Sequence, residues 1–328
     1  MVFVSTATEA GPVAQAGPAH PLHQRRPLGD RGFQILALAS GLLVLVILVG
    51  IAVSTSQQAA PWFQAEGWKI FTYNWNPAAN DFGALAFIYG TAVTAVIAVI
   101  MAVPVSVGIA LLLTEVVPYR WSRPIVYVID LLAVVPSVVW GLWGILVFVP
   151  WLNTIYAHIG SAVNGIPVLG NLFGPPTSGA SFFTAGVILA FMITPIVTSL
   201  SREVIATVPA IDREGAYALG ATRWEMIRGA VWPHSQGGIT GAVLLGLGRA
   251  MGETIAAALV IGSSATITSH LFAPGDSMPA VIANQFPEAS GTFRAALIGL
   301  GVLLFAFTII INVIARAIVG RAAEQGSA

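Results

Sequence analysis

Two opposite charges stand four residues apart inside an otherwise apolar run. In GGITGAVLLGLGRAMGETIAAALVIG, residues 237–262, they are Arg249 and Glu253. On a helix that spacing puts both on one face, a turn apart. In hydrocarbon each charge costs roughly 2.5–3.5 kcal/mol, so each needs a compensating partner or a task. One reading is a self-neutralising ion pair that fixes packing. In the other, Arg249 offers positive charge to an anion crossing a membrane while Glu253 tunes or gates its passage. Bond-making chemistry finds little support. There is no Cys, and the five His, at 20, 23, 158, 234 and 270, are scattered. Neither a metal site nor a Ser–His–Asp arrangement is expected from them. No Gly-x-x-x-x-Gly-Lys-Ser/Thr occurs either, so any ATP hydrolysis belongs to a separate polypeptide and this chain is not expected to be an enzyme.

The second chemistry-bearing segment is REVIATVPAIDREGAYALGATRWEMIRGAVWPH, residues 202–234, with four Arg and four acidic residues. Ala216, Leu219, Ile227 and Ala230 can line one side of its helical turns. Gly220 interrupts the pattern and favours two short helices joined by a turn. Pro233 suits the start of the next helix, where no amide bond is lost. The segment is either a solvated connector at the membrane surface or a knob that docks into a soluble partner.

The elements that must position these residues follow from composition. Of 328 residues 56% are hydrophobic and 9% charged, with 14 basic against 14 acidic side chains. A soluble domain carries about 25% charged residues, so that class is excluded. A disordered or collagen-like chain and a nucleic-acid binder fail on composition or charge. A helical span needs roughly 20 mostly apolar residues. Six runs qualify: Phe33–Val53, Leu85–Leu113, Ile125–Val149, Ser181–Leu200, Gly238–Ile261 and Ala295–Val319. The expected fold class is an all-α integral membrane protein with six transmembrane helices.

Basic residues divide between the loops. Arg25, Arg26, Arg31, Arg120, Arg123, Arg202, Arg213, Arg223, Arg228, Arg316 and Arg321 fall on one side, Lys69 and Arg294 on the other. Both termini are therefore expected in the cytoplasm of a cell-membrane protein. Residues 1–30 read as a disordered tail and 31–328 as one membrane domain, with no cleaved signal peptide. Trp62, Trp68, Tyr73, Trp75, Trp151 and Tyr156 in the outer loops suit the lipid–water interface or a docking rim. Asp130 is expected to snorkel or to pair with Arg123 or Arg120. Pro104, Pro136 and Pro195 should kink their spans. Gly237-x-x-x-Gly241 and Gly248-x-x-x-Gly252 suggest a seam against a second transmembrane subunit.

Two resemblances sharpen this. Glu214-Gly215-Ala216, three residues, Gly220, nine residues, Ala230, one residue, Trp232-Pro233 resembles the EAA loop of ABC importer permeases, whose pattern is Glu-Ala-Ala, three residues, Gly, nine residues, Ile, one residue, Leu-Pro. Gly215, Ala230 and Trp232 depart from it; Glu214, Ala216, Gly220 and Pro233 match. Residues 246–254, Gly-Leu-Gly-Arg-Ala-Met-Gly-Glu-Thr, are similar to the signature of phosphate-specific ABC permeases, with Met251 for Leu. The stretches 71–77, 82–83, 88–91 and 135–144 resemble the PstC type within that family. The resemblance implies a type I ABC importer permease fold and passage of inorganic phosphate past Arg249 and Glu253. It also implies coupling to an ATPase through Glu214, Gly215, Ala216, Gly220 and Pro233. The implied partners are a PstA-type permease in a heterodimer, two copies of a PstB-type ATPase that uses ATP and Mg, and a PstS-type external phosphate-binding protein. No cofactor is expected on this chain. The alternative is a permease for another oxyanion such as molybdate or sulfate, against which the 246–254 signature argues.

Overall fold

Backbone amides in apolar runs must bond within the run, which favours helices. The computed structural model is accordingly helical apart from one two-residue hairpin and its connections. It describes residues 28–72, 74–163, 165–174 and 178–325, with side chains from 32 to 317. The chain divides after Ile51 into two units. In the first, helix α1 (Leu28–Glu66) begins, and its large apolar side chains from Phe33 to Ile51 are all more than half exposed. Helix already begins at Leu28, within the expected tail of residues 1–30; residues 1–27 lie outside the described ones.

The second unit starts at Ala52. The end of α1 leads to a hairpin, β1 (Trp75–Asn76) and β2 (Asp81–Phe82), with Trp75 opposite Phe82. Then come α2 (Leu85–Leu111), α3 (Tyr119–Ala133), α4 (Ser137–Trp143), α5 (Val149–Val163), α6 (Pro167–Leu172) and α7 (Phe182–Ala206). The short α8 (Ala210–Ala218) and α9 (Arg223–Met226) precede α10 (Trp232–Gly252) and α11 (Ile255–Val260). Helices α12 (Met278–Gln285) and α13 (Gly291–Gln325) complete the chain. Wide π turns continue α2, α4 and α9 at Leu112–Val116, Gly144–Phe148 and Ile227–Val231.

Among the described residues five helical stretches are long and apolar enough to cross a membrane: Gly32–Phe71, Leu85–Val116, Ser137–Val163, Phe182–Ala206 and Gly291–Ala317. Two expected runs differ from the structure. The run Ile125–Val149 is divided at Pro136, which caps α4 with φ −59° and ψ 140°. Proline lacks an amide and forces its predecessor out of the α region, so Pro136 ends one helix and starts another. The apolar stretch beyond it continues to Val163. The run Gly238–Ile261 breaks at Glu253, whose backbone is extended (φ −71°, ψ 124°). Pro104 and Pro195 remain inside continuous α2 and α7.

Helix α7 is the most buried of the spans and packs on α2, α10 and α3. Its start is capped by Ser181, whose hydroxyl accepts the Thr184 amide at 3.1 Å. The amides of Phe182 and Phe183 donate to Ala273 and Leu271 in the segment after α11. One apolar core forms around Ile188, Ile193, Phe182 and Phe272, and a second around Trp62, Phe82, Phe87 and Leu297. A third gathers Ala110, Ile205, Met226, Val231 and Ile239 beneath segment 202–234. Two of the aromatic residues expected at an interface are core residues instead. Trp62 is 0% exposed and donates to the Phe82 carbonyl at 3.1 Å, while Tyr156 is 1% exposed and stacks on Phe272. Trp68 and Trp151 are exposed. Tyr73 lies outside the described residues.

Candidate functional site

A cleft of about 990 Å³ runs along α10 and brings Arg249 and Glu253 together with Asn312 and Arg316 of α13. Four glycines of α10, Gly237, Gly241, Gly248 and Gly252, form part of its lining. A methyl group placed on any of them would meet nothing within 4 Å, so this face is not packed against the rest of the chain. Gly238 and Gly246 play the opposite part. A methyl there would press on Val204 and Val197 of α7, so these two glycines set the closeness of α10 to α7. Sequence spacing alone does not separate the two sets.

The expected i,i+4 arrangement of Arg249 and Glu253 is replaced by something else. Arg249 lies in the last turn of α10, where a cation is favoured by the helix dipole. Glu253 follows in extended backbone, and its Oε1 accepts the Ala256 amide of α11 at 3.4 Å, an acid at a helix start. Each charge is thus offset by a helix end. Among the described residues the ion pairs within 4.0 Å are Arg202–Glu203 and Arg213–Glu115. Among the described residues neither Arg249 nor Arg316 has a carboxylate partner, and both are exposed to the cleft. Two guanidinium groups without counter-ions, a carboxylate and an amide along an apolar trough can attract an oxyanion and hold it loosely. Asn312 and Arg316 were not singled out by sequence. Their signal is the spacing of four, which puts them on one face of the last helix.

Asp130 does not pair with Arg123 or Arg120. It accepts a hydrogen bond from the Ser199 hydroxyl of α7 at 2.9 Å, while the Arg123 guanidinium lies 4.4 Å over the Tyr119 ring. Thr194, beside Pro195, donates to Ala190 within its own helix, and its carbonyl accepts from Ser106 of α2.

In segment 202–234 the chain forms α8 and α9, with Gly220 between them at φ +83°, a left-handed conformation that favours glycine. Thr222 and Glu225 close a capping box on α9. The Glu225 amide donates to the Thr222 hydroxyl at 3.4 Å, and the Thr222 amide to the Glu225 carboxylate at 2.7 Å. The Thr222 amide, and then the Thr222 hydroxyl, donate to the Glu225 carboxylate and hold it below its ordinary pKa. Pro233 falls at the start of α10. Glu214, Gly215, Gly220 and Pro233 are exposed, and Ala216 is half-buried on the third core. Ile211, Leu219 and Trp224 are also open, Leu219 to 91%. Arg213 ties this segment to the spans. It donates at 2.9 Å to Glu115 at the end of α2, and at 2.9 Å each to the carbonyls of Ile205 and Val208. Among the described residues no group of three or more His, Asp or Glu side chains could hold a metal ion.

With this geometry in place, comparison with known proteins identifies the family. Residues 106–323 match the family described as binding-protein-dependent transport system inner membrane component. The chain is 43% identical over 296 residues to the phosphate transport system permease protein PstC of Mesorhizobium japonicum, covering 89% of this chain and 90% of that protein. It is 44% identical over 290 residues to PstC of Xylella fastidiosa strain Temecula1, covering 88% and 89%. The fold is similar to a bacterial ABC transporter involved in the import of the acidic polysaccharide alginate, at a TM-score of 0.55 and 15% identity, covering 89% of this chain and 96% of that one. The chain therefore belongs to the family of inner membrane components of binding-protein-dependent transport systems.

Proposed function

We propose that this chain is a transmembrane permease subunit of an ATP-driven importer of inorganic phosphate. The cleft carries the reading: two guanidinium groups without a carboxylate partner among the described residues, Arg249 and Arg316, face an open trough on the glycine side of α10. The name of the PstC relatives supplies the oxyanion. The bare glycine face invites a second permease subunit of PstA type, whose helices would close the trough into a pathway. Six crossings are proposed, with α10 and α11 together as the fifth, broken one, and both termini in the cytoplasm on the distribution of basic residues. On that orientation segment 202–234 faces the cytoplasm. Its exposed Glu214, Gly215, Gly220 and Pro233, together with Ala216, form the coupling surface that seats in a PstB-type ATPase, the subunit that uses ATP and Mg and is present in two copies in the importer. A PstS-type binding protein delivers phosphate on the opposite side. Arg249 offsets the anion's charge as it passes and Glu253 keeps the site weak, because tight binding would trap the ion.

The test is uptake of radiolabelled phosphate into proteoliposomes holding the assembled importer with Arg249→Leu. Uptake is expected to vanish while the complex still assembles and hydrolyses ATP. Uptake close to the unaltered rate would overturn the assignment of Arg249.

A further inference from the structure

A second pocket, of about 540 Å³, lies away from the cleft, between the end of α2, the start of α3, the end of α7 and α8. Its lining includes Arg123, Arg202 and Arg213 against the single carboxylate of Glu115. That carboxylate is taken by Arg213 at 2.9 Å. Arg202 has only a 3.9 Å approach to its neighbour Glu203, whose side chain is largely exposed. Arg123 has the Tyr119 ring beneath it and, among the described residues, no carboxylate. The Nε atoms of both Arg202 and Arg213 are buried with no hydrogen-bond partner.

A guanidinium has five donors and no acceptor, and the two buried Nε donors show that the protein supplies too few acceptors around Arg202 and Arg213. Leaving a charged donor unsatisfied costs more than leaving a neutral one so. Two guanidinium groups beyond the one neutralised by Glu115 call for an anion with several oxygens in a forked geometry. Tyr119 and Tyr127, both 67–69% exposed, stand among the lining residues, as does Ser122, whose hydroxyl is already used on the Leu113 carbonyl. We infer that the pocket formed by Arg123, Arg202 and Arg213 is a binding site for a phosphoryl oxyanion, separate from the cleft of Arg249. The same chemistry is offered by free inorganic phosphate and by the phosphodiester of an anionic lipid. This inference does not depend on the transport reading.

The test uses the full-length chain purified in detergent. Binding of phosphatidylglycerol and phosphatidylcholine is measured by native mass spectrometry, and binding of inorganic phosphate by titration calorimetry. The unaltered chain is compared with Arg202→Gln and Arg123→Gln. Arg123 is exposed and makes only its ring contact, so its replacement leaves the fold intact whatever happens at Arg202. A preference for phosphatidylglycerol that falls at least tenfold in both variants, and that phosphate does not displace, identifies the lipid as the source. Phosphate binding that falls at least tenfold in both, and persists in Arg249→Leu, identifies the free ion. If Arg202→Gln does not fold, Arg123→Gln decides alone. Affinities for both probes that change less than twofold in Arg123→Gln and in any folded Arg202→Gln overturn the inference, as does phosphate binding lost only in Arg249→Leu.

Discussion

Arg213 is the one charged side chain of segment 202–234 that reaches the spans through a buried partner, and its removal should be felt in stability and in coupling alike. Glu115 is 6% exposed at its side chain and Arg213 23%, with 2.9 Å between nitrogen and oxygen. At an effective dielectric of 20 the gross attraction is about 6 kcal/mol. Desolvation of a mostly buried pair cancels a large part of this, and the open edge of Arg213 screens more. We expect a coupling energy of about 2–3 kcal/mol. It can be isolated by a double-mutant cycle of Glu115→Gln, Arg213→Gln and the pair. Unfolding would be followed in detergent by the loss of helical circular dichroism, since the fold is almost wholly helical. Arg213→Gln also loses two carbonyl contacts, so it should be the more costly single change, and the double variant should cost clearly less than the sum. A coupling below about 0.5 kcal/mol, the value of a surface pair, would refute the claim that this contact anchors α8. In the assembled importer the same variants should keep ATP hydrolysis and lose more than half of the phosphate carried per ATP.

Five single substitutions, in three parts of the fold, check further outcomes. Burial pushes the Asp276 carboxyl up to about 7, against the pull of the Ser277 amide. Between pH 4 and 7 the unfolded chain has released a proton that the folded chain keeps, so stability should fall as pH rises through that window, by up to about 4 kcal/mol, and be level above it. Asp276→Asn should flatten the profile of unfolding temperature against pH, and an unchanged slope would be contrary. On α10, Gly246→Val should lower stability by about 1–3 kcal/mol through its clash with Val197. Gly241→Leu should leave the isolated chain as stable as before yet prevent co-purification with the second permease; normal assembly would count against the seam. In segment 202–234, Gly215→Ala meets open space inside α8 and should stabilise it by up to about 1 kcal/mol. Gly220→Ala at φ +83° should destabilise by about 1–2 kcal/mol, both read from thermal unfolding.

Some of this architecture is readable without coordinates because its causes are local. The run from Ser181 is continuously apolar and is helix α7, extended by one more turn and a half to Ala206. Gly220 is where the chain turns because few other residues tolerate that backbone. What escaped reading depends on partners distant in sequence or on competition between backbone groups. Hydrophobicity cannot show that the Glu253 carboxylate takes the Ala256 amide and so stabilises a new helix start. Nor does it show that Asp130 finds Ser199, 69 residues away, in preference to its cationic neighbours. In the sequence Arg316 reads only as one of the basic residues of the cytoplasmic side, whereas the fold of α13 presents it to the cleft. Tyr156 looked like an interfacial aromatic because its loop carries no charges, yet its hydroxyl meets Thr184 in the interior at 2.8 Å.

The break at Glu253 has a mechanical meaning. Helices joined by extended backbone share no continuous ladder of hydrogen bonds, so α10 and α11 need not tilt as one rod. Below the break, α10 is held by Met226, Val231 and Ile239 in the core that also seats α9. Above it, α11 is clamped from its far end, where the Val260 carbonyl receives the Ser181 amide and the Ile261 carbonyl that of Gly275. The change of direction between the two helices is thus concentrated in the backbone of a single residue, Glu253. The joint sits four residues after Arg249, so the guanidinium belongs to α10 while the Glu253 carboxylate is bonded to the start of α11.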